Sequence, residues 1–450
     1  MSQILFGLFG LAVLIGIAWI FSTNRRAVDW KLVATGLSLQ IVFALFVLVT
    51  PWGEAIFTWM SGGFVALLGF TASGATLIFG DMGTPQKFGF IFAFQVLPTI
   101  IFFAALMSVL YHLGVMQAIV KGMAWVIMKV MRVSGAETLS VCANAFIGQT
   151  EAPLVVKPYV AGMTKSELMC LMIGGMATIA GGVMAAYVQL LGGSDPEAQR
   201  QFAKHLLTAS IMAAPAALLI AKVMVPETEQ PQTAGHVTVP VEKTATNVID
   251  AAAVGAADGL KLALNVGAML LAFTALIALL NGVIGGLGDA VGLTQLLNPN
   301  ADPRCLADAA FAADPANACQ VTRLSLSLVL GWILAPIAWV IGIPWSEATT
   351  VGGLIGTKIV LNEFIAYSAL SDVLAGNVAG VALSSTSVLI ATYALCGFAN
   401  FSSIAIQLGG IGSIAPERRA DLARFGLRAV LGGSLATMMT ATIAGVISQF

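Results

Sequence analysis

Charge is what this chain has least of: only 10% of its 450 residues are Asp, Glu, Lys or Arg, and three are His. A soluble domain carries about a quarter charged residues. With 58% hydrophobic residues and a mean hydropathy of +0.93, the composition is that of a polytopic membrane protein. The net charge of −1 and the lack of any basic tract exclude nucleic acid as a partner. Neither H-E-x-x-H nor G-x-S-x-G occurs, so an intramembrane hydrolase has no motif to support it, and the chain reads as a non-enzyme with no organic cofactor. Cysteine is sparse too. Cys142, Cys170 and Cys396 lie in apolar segments as small hydrophobes, while Cys305 and Cys319 bracket a polar loop where a disulfide and free thiols are both open readings.

The first apolar run, Ile4 to Phe21, has no cationic residue before it and no small-residue cleavage site after it, but Arg25, Arg26 and Lys31 follow directly. It reads as a first span with its N-terminus outside, by the positive-inside rule. Spans are also expected at about Leu32 to Val49 and at Phe88 to Tyr111, the latter with Pro98 as a tolerated kink. Between them, Trp52 to Gly80 is interrupted by Gly, Ser and Thr and reads as a helix lying at the interface or wrapping a neighbour. Val115 to Val133, with Lys121, Lys129 and Arg132, is a basic amphipathic surface helix.

Asn144 to Tyr159, N-A-F-I-G-Q-T-E-A-P-L-V-V-K-P-Y, breaks the apolar pattern. It is the join of two runs, about Thr138 to Phe146 and Ala152 to Tyr159, each too short to cross a core of about 30 Å at about 1.5 Å per residue. A re-entrant helical hairpin fits, with its tip facing a site. Lys165 and Glu167 mark the return to the cytoplasm. Leu168 to Leu191 crosses with glycines around Thr178 that permit an unwound middle, a polar loop covers Gly192 to Lys204, and Leu206 to Val225 crosses back past Pro215.

Pro226 to Asn247 is a polar linker and the pivot of the chain. Ile249 to Ile284 gives a further span, and Leu324 to Ile341 reads as an external surface helix, since counting it as a span would put Arg418, Arg419, Arg424 and Arg428 outside. Ser346 to Leu370 is a second pair of half-length runs, with Glu363 at the join. Val381 to Ile411 is a span interrupted by C-G-F-A-N-F-S-S, and a last span runs from about Leu427 to Ile447. The expectation is an all-α polytopic membrane protein of about eight transmembrane helices, with two re-entrant helical hairpins in an inverted repeat plus interfacial helices. Its divisions are 1–87 as N-terminal scaffold, 88–225 as the first repeat, 226–248 as cytoplasmic linker and 249–450 as the second repeat.

Paired interruptions in inverted halves point to the binding site of a secondary transporter. Asn144 with Gly148 to Glu151, Thr178, Asn362 with Glu363, and Phe398 to Ser403 should converge there. Two carboxylates, amides, hydroxyls and an aromatic ring suit a neutral solute with many hydroxyls and repel an anion. An intramembrane carboxylate is a functional-site hypothesis whose partner must be named, and Lys157 and Lys358 are the candidates for Glu151 and Glu363. Unwound carbonyls with Asn144 and Thr178 suit sodium, while protons could act through Glu151 or Glu363. Thr178 or Ser402 alone could equally bond a neighbouring helix. His112, His205 and His236 fall at span ends or in the linker.

G-Q-T-E-A-P-L at Gly148 to Leu154, K-P-Y at Lys157 to Tyr159, M-T-K-S-E-L at Met163 to Leu168, N-E-F-I-A-Y at Asn362 to Tyr367, and C-G-F-A-N-F-S-S-I from Cys396 followed by G-G-I-G from Gly409 carry a resemblance. From about Phe88 to its end the chain resembles the concentrative nucleoside transporters. The resemblance implies a sodium-coupled nucleoside importer of a bacterial inner membrane, a homotrimer with a fixed frame and a mobile transport domain. It implies that Gln149, Thr150 and Glu151 recognise the base, that Val183 packs on it, and that Glu363, Asn400 and Ser403 bind ribose hydroxyls beside Phe398. It further implies sodium at the side chains of Asn144 and Thr178 and the backbone carbonyls of Asn144, Ile147, Thr178 and Ile179. Thr178 and Ile147 stand where sodium-coupled bacterial members carry Ser and Val, which keeps the hydroxyl and the carbonyl.

Overall fold

The computed structural model describes residues 2–234, 245–299, 302, 304–305, 321–378 and 380–449, and every regular element among them is helical. The chain opens with α1 (Ser2–Ile20), α2 (Trp30–Val49) and α3 (Pro51–Phe79). The side chains of Asp29 and Thr50 accept backbone N–H bonds at the starts of α2 and α3, which satisfies donors that a helix start leaves open. The Gly, Ser and Thr residues of α3 do not break it. It is one helix of 29 residues, long and apolar enough to cross a membrane, because its small residues sit inside intact backbone hydrogen bonding.

The next helix, α4 (Leu97–His112), starts later than the hydropathy suggests. Pro98 occupies its first turn, where a missing N–H leaves no bond unmade; it is a start signal and not a kink. The amphipathic α5 (Val115–Met131) follows as expected. Then come α6 (Gly135–Asn144), two single helical turns at Ala152–Val155 and Lys157–Val160, α7 (Lys165–Ala177), α8 (Gly181–Gly192) and α9 (Pro196–Met224). The expected polar loop from Gly192 to Lys204 is largely absent: Asp195 caps α9 and Pro196 starts it, so most of that stretch is helix.

After the linker, of which 235–244 lies outside the described residues, α10 (Val248–Ala290) runs unbroken for 43 residues. The pairing of Cys305 with Cys319 and the surroundings of His236 fall outside the described residues as well. α11 (Leu326–Val340) turns by 116° into α12 (Trp345–Val360). α13 (Glu363–Leu374), α14 (Ser385–Leu395), α15 (Phe401–Ile414) and α16 (Arg419–Ile447) complete the chain.

Eight helical stretches among the described residues are long and apolar enough to span: six single helices among α1, α2, α3, α9, α10 and α16, the α7–α8 stretch, and α4 with the turn before it. The number matches the expectation but the membership differs. α3 is in, and Val381 to Ile411 is out because it is two shorter helices, α14 and α15.

The helices sort into an inner and an outer set. The apolar windows of α7–α8, α9 and α16 are 89% buried, whereas those of α1, α2, α3, α4 and α10 are 11–28% buried. Apolar helices that bury so little of themselves meet lipid or another subunit. α4 and α10 approach closely through small residues: a Cβ at Gly255 would sit 2.7 Å from the Ala104 carbonyl oxygen, and one at Gly259 2.7 Å from Ala104 Cβ. Gly-x-x-x-Gly on one face is how membrane helices bring backbones together.

Candidate functional site

Two helix breaks hold the site. α7 stops where Thr178 turns extended, at φ −124° and ψ 168°, while its Oγ1 donates back to the Gly174 carbonyl at 2.9 Å. Three residues later α8 begins at Gly181, whose amide donates to the Phe146 carbonyl at 3.0 Å. The turn after α6 is thereby fixed to the first break. The second break runs from Cys396 to Asn400. Asn400 restarts the helix as α15, its Oδ1 accepting from the Ser403 amide at 2.9 Å and from Ser402 Oγ at 2.7 Å. The breaks touch: the Phe398 amide donates to the Thr178 carbonyl at 3.4 Å.

The polar side chains meet across these breaks. Gln149 Nε2 donates to Ser403 Oγ at 3.0 Å, and Thr150 packs over Gly410. Glu363, buried to 4% exposure, opens α13 next to its cap Asn362, whose Oδ1 accepts from the Ile365 amide at 2.9 Å. A carboxylate in a first helical turn is stabilised by the positive end of the helix dipole. Its Oε2 accepts from Asn400 Nδ2 at 3.0 Å and its Oε1 from the Tyr187 hydroxyl at 2.9 Å. A carboxylate has about four acceptor positions, and the Glu363 backbone N–H also bonds to its own carboxylate, so Glu363 keeps room for a further O–H donor. Val183 is buried in the first turn of α8, and Phe398 is half-buried.

Asn144 and Thr178 are each 1% exposed. Asn144 Nδ2 donates to the Ser140 carbonyl at 3.2 Å, but its buried Oδ1 receives no hydrogen bond. A buried orphan acceptor is costly unless a hydrogen-bond donor, a water or a cation reaches it. Ile147 is half-buried and Ile179 buried, and amide, hydroxyl and carbonyl oxygens are the ligand types that a small hard cation takes.

Two expected pairings need correction. Glu151 is exposed, its carboxylate folded over Gly148, and Lys157 is exposed too, so neither is a buried pair. Lys358 is buried but does not pair with Glu363; its Nζ donates to the Ala394 carbonyl at 2.8 Å and to Thr437 Oγ1 at 3.0 Å. Glu167, expected with Lys165 where the chain returns to the cytoplasm, is itself buried. It is 2% exposed, and accepts from Ser134 Oγ at 2.5 Å and from the Thr164 amide at 2.9 Å. The capping boxes of α6 and α7 thereby interlock, and the Lys222–Glu137 ion pair at 2.8 Å lies beside them.

Sequence reasoning missed Tyr187 and Gln407. Gln407, fully buried, donates to Gln149 Oε1 at 3.1 Å and to the Met172 carbonyl at 3.0 Å. A lone amide in the apolar run of α15 was a signal in its own right, since buried polar groups need partners. Tyr187 had none, because a single tyrosine inside an apolar helix gives no sign of which residue it bonds. Cys142, Cys170 and Cys396 are buried free thiols, as expected.

The chain matches the family models described as Na+ dependent nucleoside transporter C-terminus over residues 205–445 and N-terminus over 9–82, and a nucleoside recognition ("Gate") model over 93–194. It is 42% identical to the uncharacterized transporter YutK of Bacillus subtilis over 99% of both chains. It is 37% identical to sodium/nucleoside cotransporter 1 of the mouse over 97% of this chain and 63% of that protein. The solved structure of CNTnw in an inward-facing substrate-bound state covers both chains fully at 42% identity with a TM-score of 0.86. A variant of CNTnw in an outward-facing state gives the same TM-score.

Proposed function

Since this chain belongs to the concentrative nucleoside transporter family, we propose that it imports nucleosides by sodium symport through alternating access. It is a membrane transporter and not an enzyme, and the reading puts it in a bacterial inner membrane as a homotrimer, N-terminus outside. The exposed apolar faces of α3 and α10 are then covered by lipid and by the other subunits. Residues 1–87 belong to the frame, and 88–225 and 249–450 form inverted repeats about the linker 226–248. The turns between α6 and α7 and between α12 and α13 are the tips of re-entrant hairpins.

The observation that carries the reading is Glu363, held by Tyr187 and Asn400 with acceptor capacity to spare beside Phe398. Glu363, Asn400 and Ser403 bind the ribose hydroxyls. Gln149, Thr150 and Glu151 recognise the base, with Val183 against it. Glu151, exposed and folded over Gly148, reaches the base by turning off that glycine. Sodium is taken by Asn144 and Thr178 with the carbonyls of Asn144, Ile147, Thr178 and Ile179, and the orphan Asn144 Oδ1 supports that assignment. Gly181 ties Phe146 to the first break, so filling the cation site firms the hairpin tip that bears Gln149.

Uptake of labelled uridine into proteoliposomes tests this. Accumulation is expected under an inward sodium gradient and not under a proton gradient alone. Accumulation that ignores sodium and follows pH would replace sodium by protons, and no uptake of any nucleoside would overturn the substrate class.

A further inference from the structure

Four half-length helices end close to the middle of this molecule: α6 and α7 in the first half, α12 and α14 in the second. Each C-terminus carries about half a negative elementary charge and carbonyls without partners in the helix. The ends crowd together. A Cβ on Gly397, just past α14, would lie 2.8 Å from the Met176 carbonyl oxygen in the last turn of α7. Glu363 adds a further negative group nearby. Such a concentration of carbonyl ends in a protein interior requires positive charge.

In the first half the last turn of α6 and the end of α7 offer Asn144 Oδ1, which receives no hydrogen bond, and the Thr178 hydroxyl. The second half repeats the element order, with α12 in the place of α6 and α14 in the place of α7, but its last turns are filled differently. Lys358, in the last turn of α12 and 1% exposed, puts its ammonium on the Ala394 carbonyl in the last turn of α14 at 2.8 Å and on Thr437 Oγ1 of α16 at 3.0 Å. A carbonyl at a half-helix end and a threonine hydroxyl are the ligand types offered to an ion at the first break. No acidic side chain pairs with Lys358 among the described residues.

We propose that the Lys358 ammonium is a built-in cation that occupies, in the second half, the position equivalent to the first half's sodium site. Lys358 thereby closes that position to a second sodium ion. One half of the transporter carries its cation covalently, and the other must take one from solution on each cycle. Lys358 is a positioning residue: it neutralises the ends of α12 and α14 and so fixes the break from which Phe398 and Asn400 project. The proposal rests on the sodium reading for the first half.

Equilibrium binding of radioactive sodium to the purified protein tests it without requiring transport. The wild type is expected to bind one ion per protomer. Lys358→Ser, which leaves a hydroxyl and room for an ion beside Ala394 and Thr437, is expected to bind two. Two ions in the wild type, or still one in a Lys358→Ser protein that keeps its nucleoside-induced thermal shift, overturns the proposal. The wild-type count stands on its own if the variant does not fold. No sodium on the wild type with one on Lys358→Ser would remove the sodium reading of the first half while upholding the role of Lys358.

Discussion

Gln149 and Ser403 lie 254 residues apart, yet the amide of one donates to the hydroxyl of the other at 3.0 Å. The first belongs to the turn after α6, and the second to the first turn of α15. Neither half can therefore shift without changing the other's polar face. Gln407 decides which way Gln149 points, because it donates to Gln149 Oε1 and so leaves Nε2 for Ser403.

Gln407→Leu keeps the bulk and removes that donor. Gln149 is then free to turn its amide, and base choice should broaden while ribose binding stays. A neutral hydrogen bond contributes about 0.5–1.5 kcal/mol. The ratio of uridine to adenosine uptake efficiency should accordingly move by about two- to tenfold, with protein yield unchanged. An unaltered ratio would mean that Gln407 serves only packing.

Tyr187→Phe removes one hydroxyl from a fully buried ring and nothing else. Glu363 keeps Asn400 but loses its second donor. A hydrogen bond to a charged group contributes about 1.5–3 kcal/mol, so uptake efficiency should fall about ten- to hundredfold. The melting temperature in detergent should hold within a few degrees, since the ring still packs against Phe364 and Tyr367 at centroid distances of 4.7 and 4.5 Å. A parallel collapse of stability would assign the hydroxyl to folding.

Glu363→Gln keeps the shape and turns half of the acceptor into a donor. Binding two ribose hydroxyls requires both carboxylate oxygens, so uptake should be lost although the protein stays folded and assembled on gel filtration. Uptake at the wild-type level would refute the ribose-binding role of Glu363.

Lys222→Met strands Glu137, which is fully buried and 2.8 Å from the ammonium. An uncompensated buried charge costs about 3–5 kcal/mol, which thermal unfolding in detergent would register. Adding Glu137→Gln should recover most of the loss, because the amide needs no counter-charge. A single variant as stable as the wild type would mean that the buried Glu137 side chain does not depend on the Lys222 ammonium.

The site was legible where chemistry breaks the apolar pattern. G-Q-T-E, N-E-F and G-F-A-N-F-S-S stand out because amides and carboxylates are rare in such sequence, and they mark the two short turns and the second break. Residues whose partners lie elsewhere in the chain were not legible. Tyr187 looks like any tyrosine in an apolar helix until Glu363, 176 residues later, is placed against it. Lys358 was read as the partner of Glu363 because it stands five positions before it, but Leu361 and Asn362 interrupt the helix between them, and the ammonium goes to Ala394 and Thr437. Pro98 and the glycines of α3 misled in a common way. Residues that disfavour a helix interior are harmless in a first turn or inside long, intact hydrogen bonding.

Gly397 tests whether contact between the two breaks is required. A Cβ there would fall 2.8 Å from the Met176 carbonyl oxygen, 2.9 Å from Thr437 Cγ2 and 3.1 Å from the Ala177 carbonyl carbon. Two of the three belong to the backbone of α7 and cannot rotate away, so Gly397→Ala must push α14 and α15 off the end of α7. Overpacking costs about 1–3 kcal/mol, and the displacement also pulls Lys358 and Asn400 from their partners. Melting temperature and uptake should both fall. Gly409, twelve residues on, has nothing within 4 Å of the same added atom, so Gly409→Ala is the matched control and should behave as the wild type. If both substitutions were silent, the breaks would not bear on one another, and the bond from Phe398 to Thr178 would not be what joins the halves.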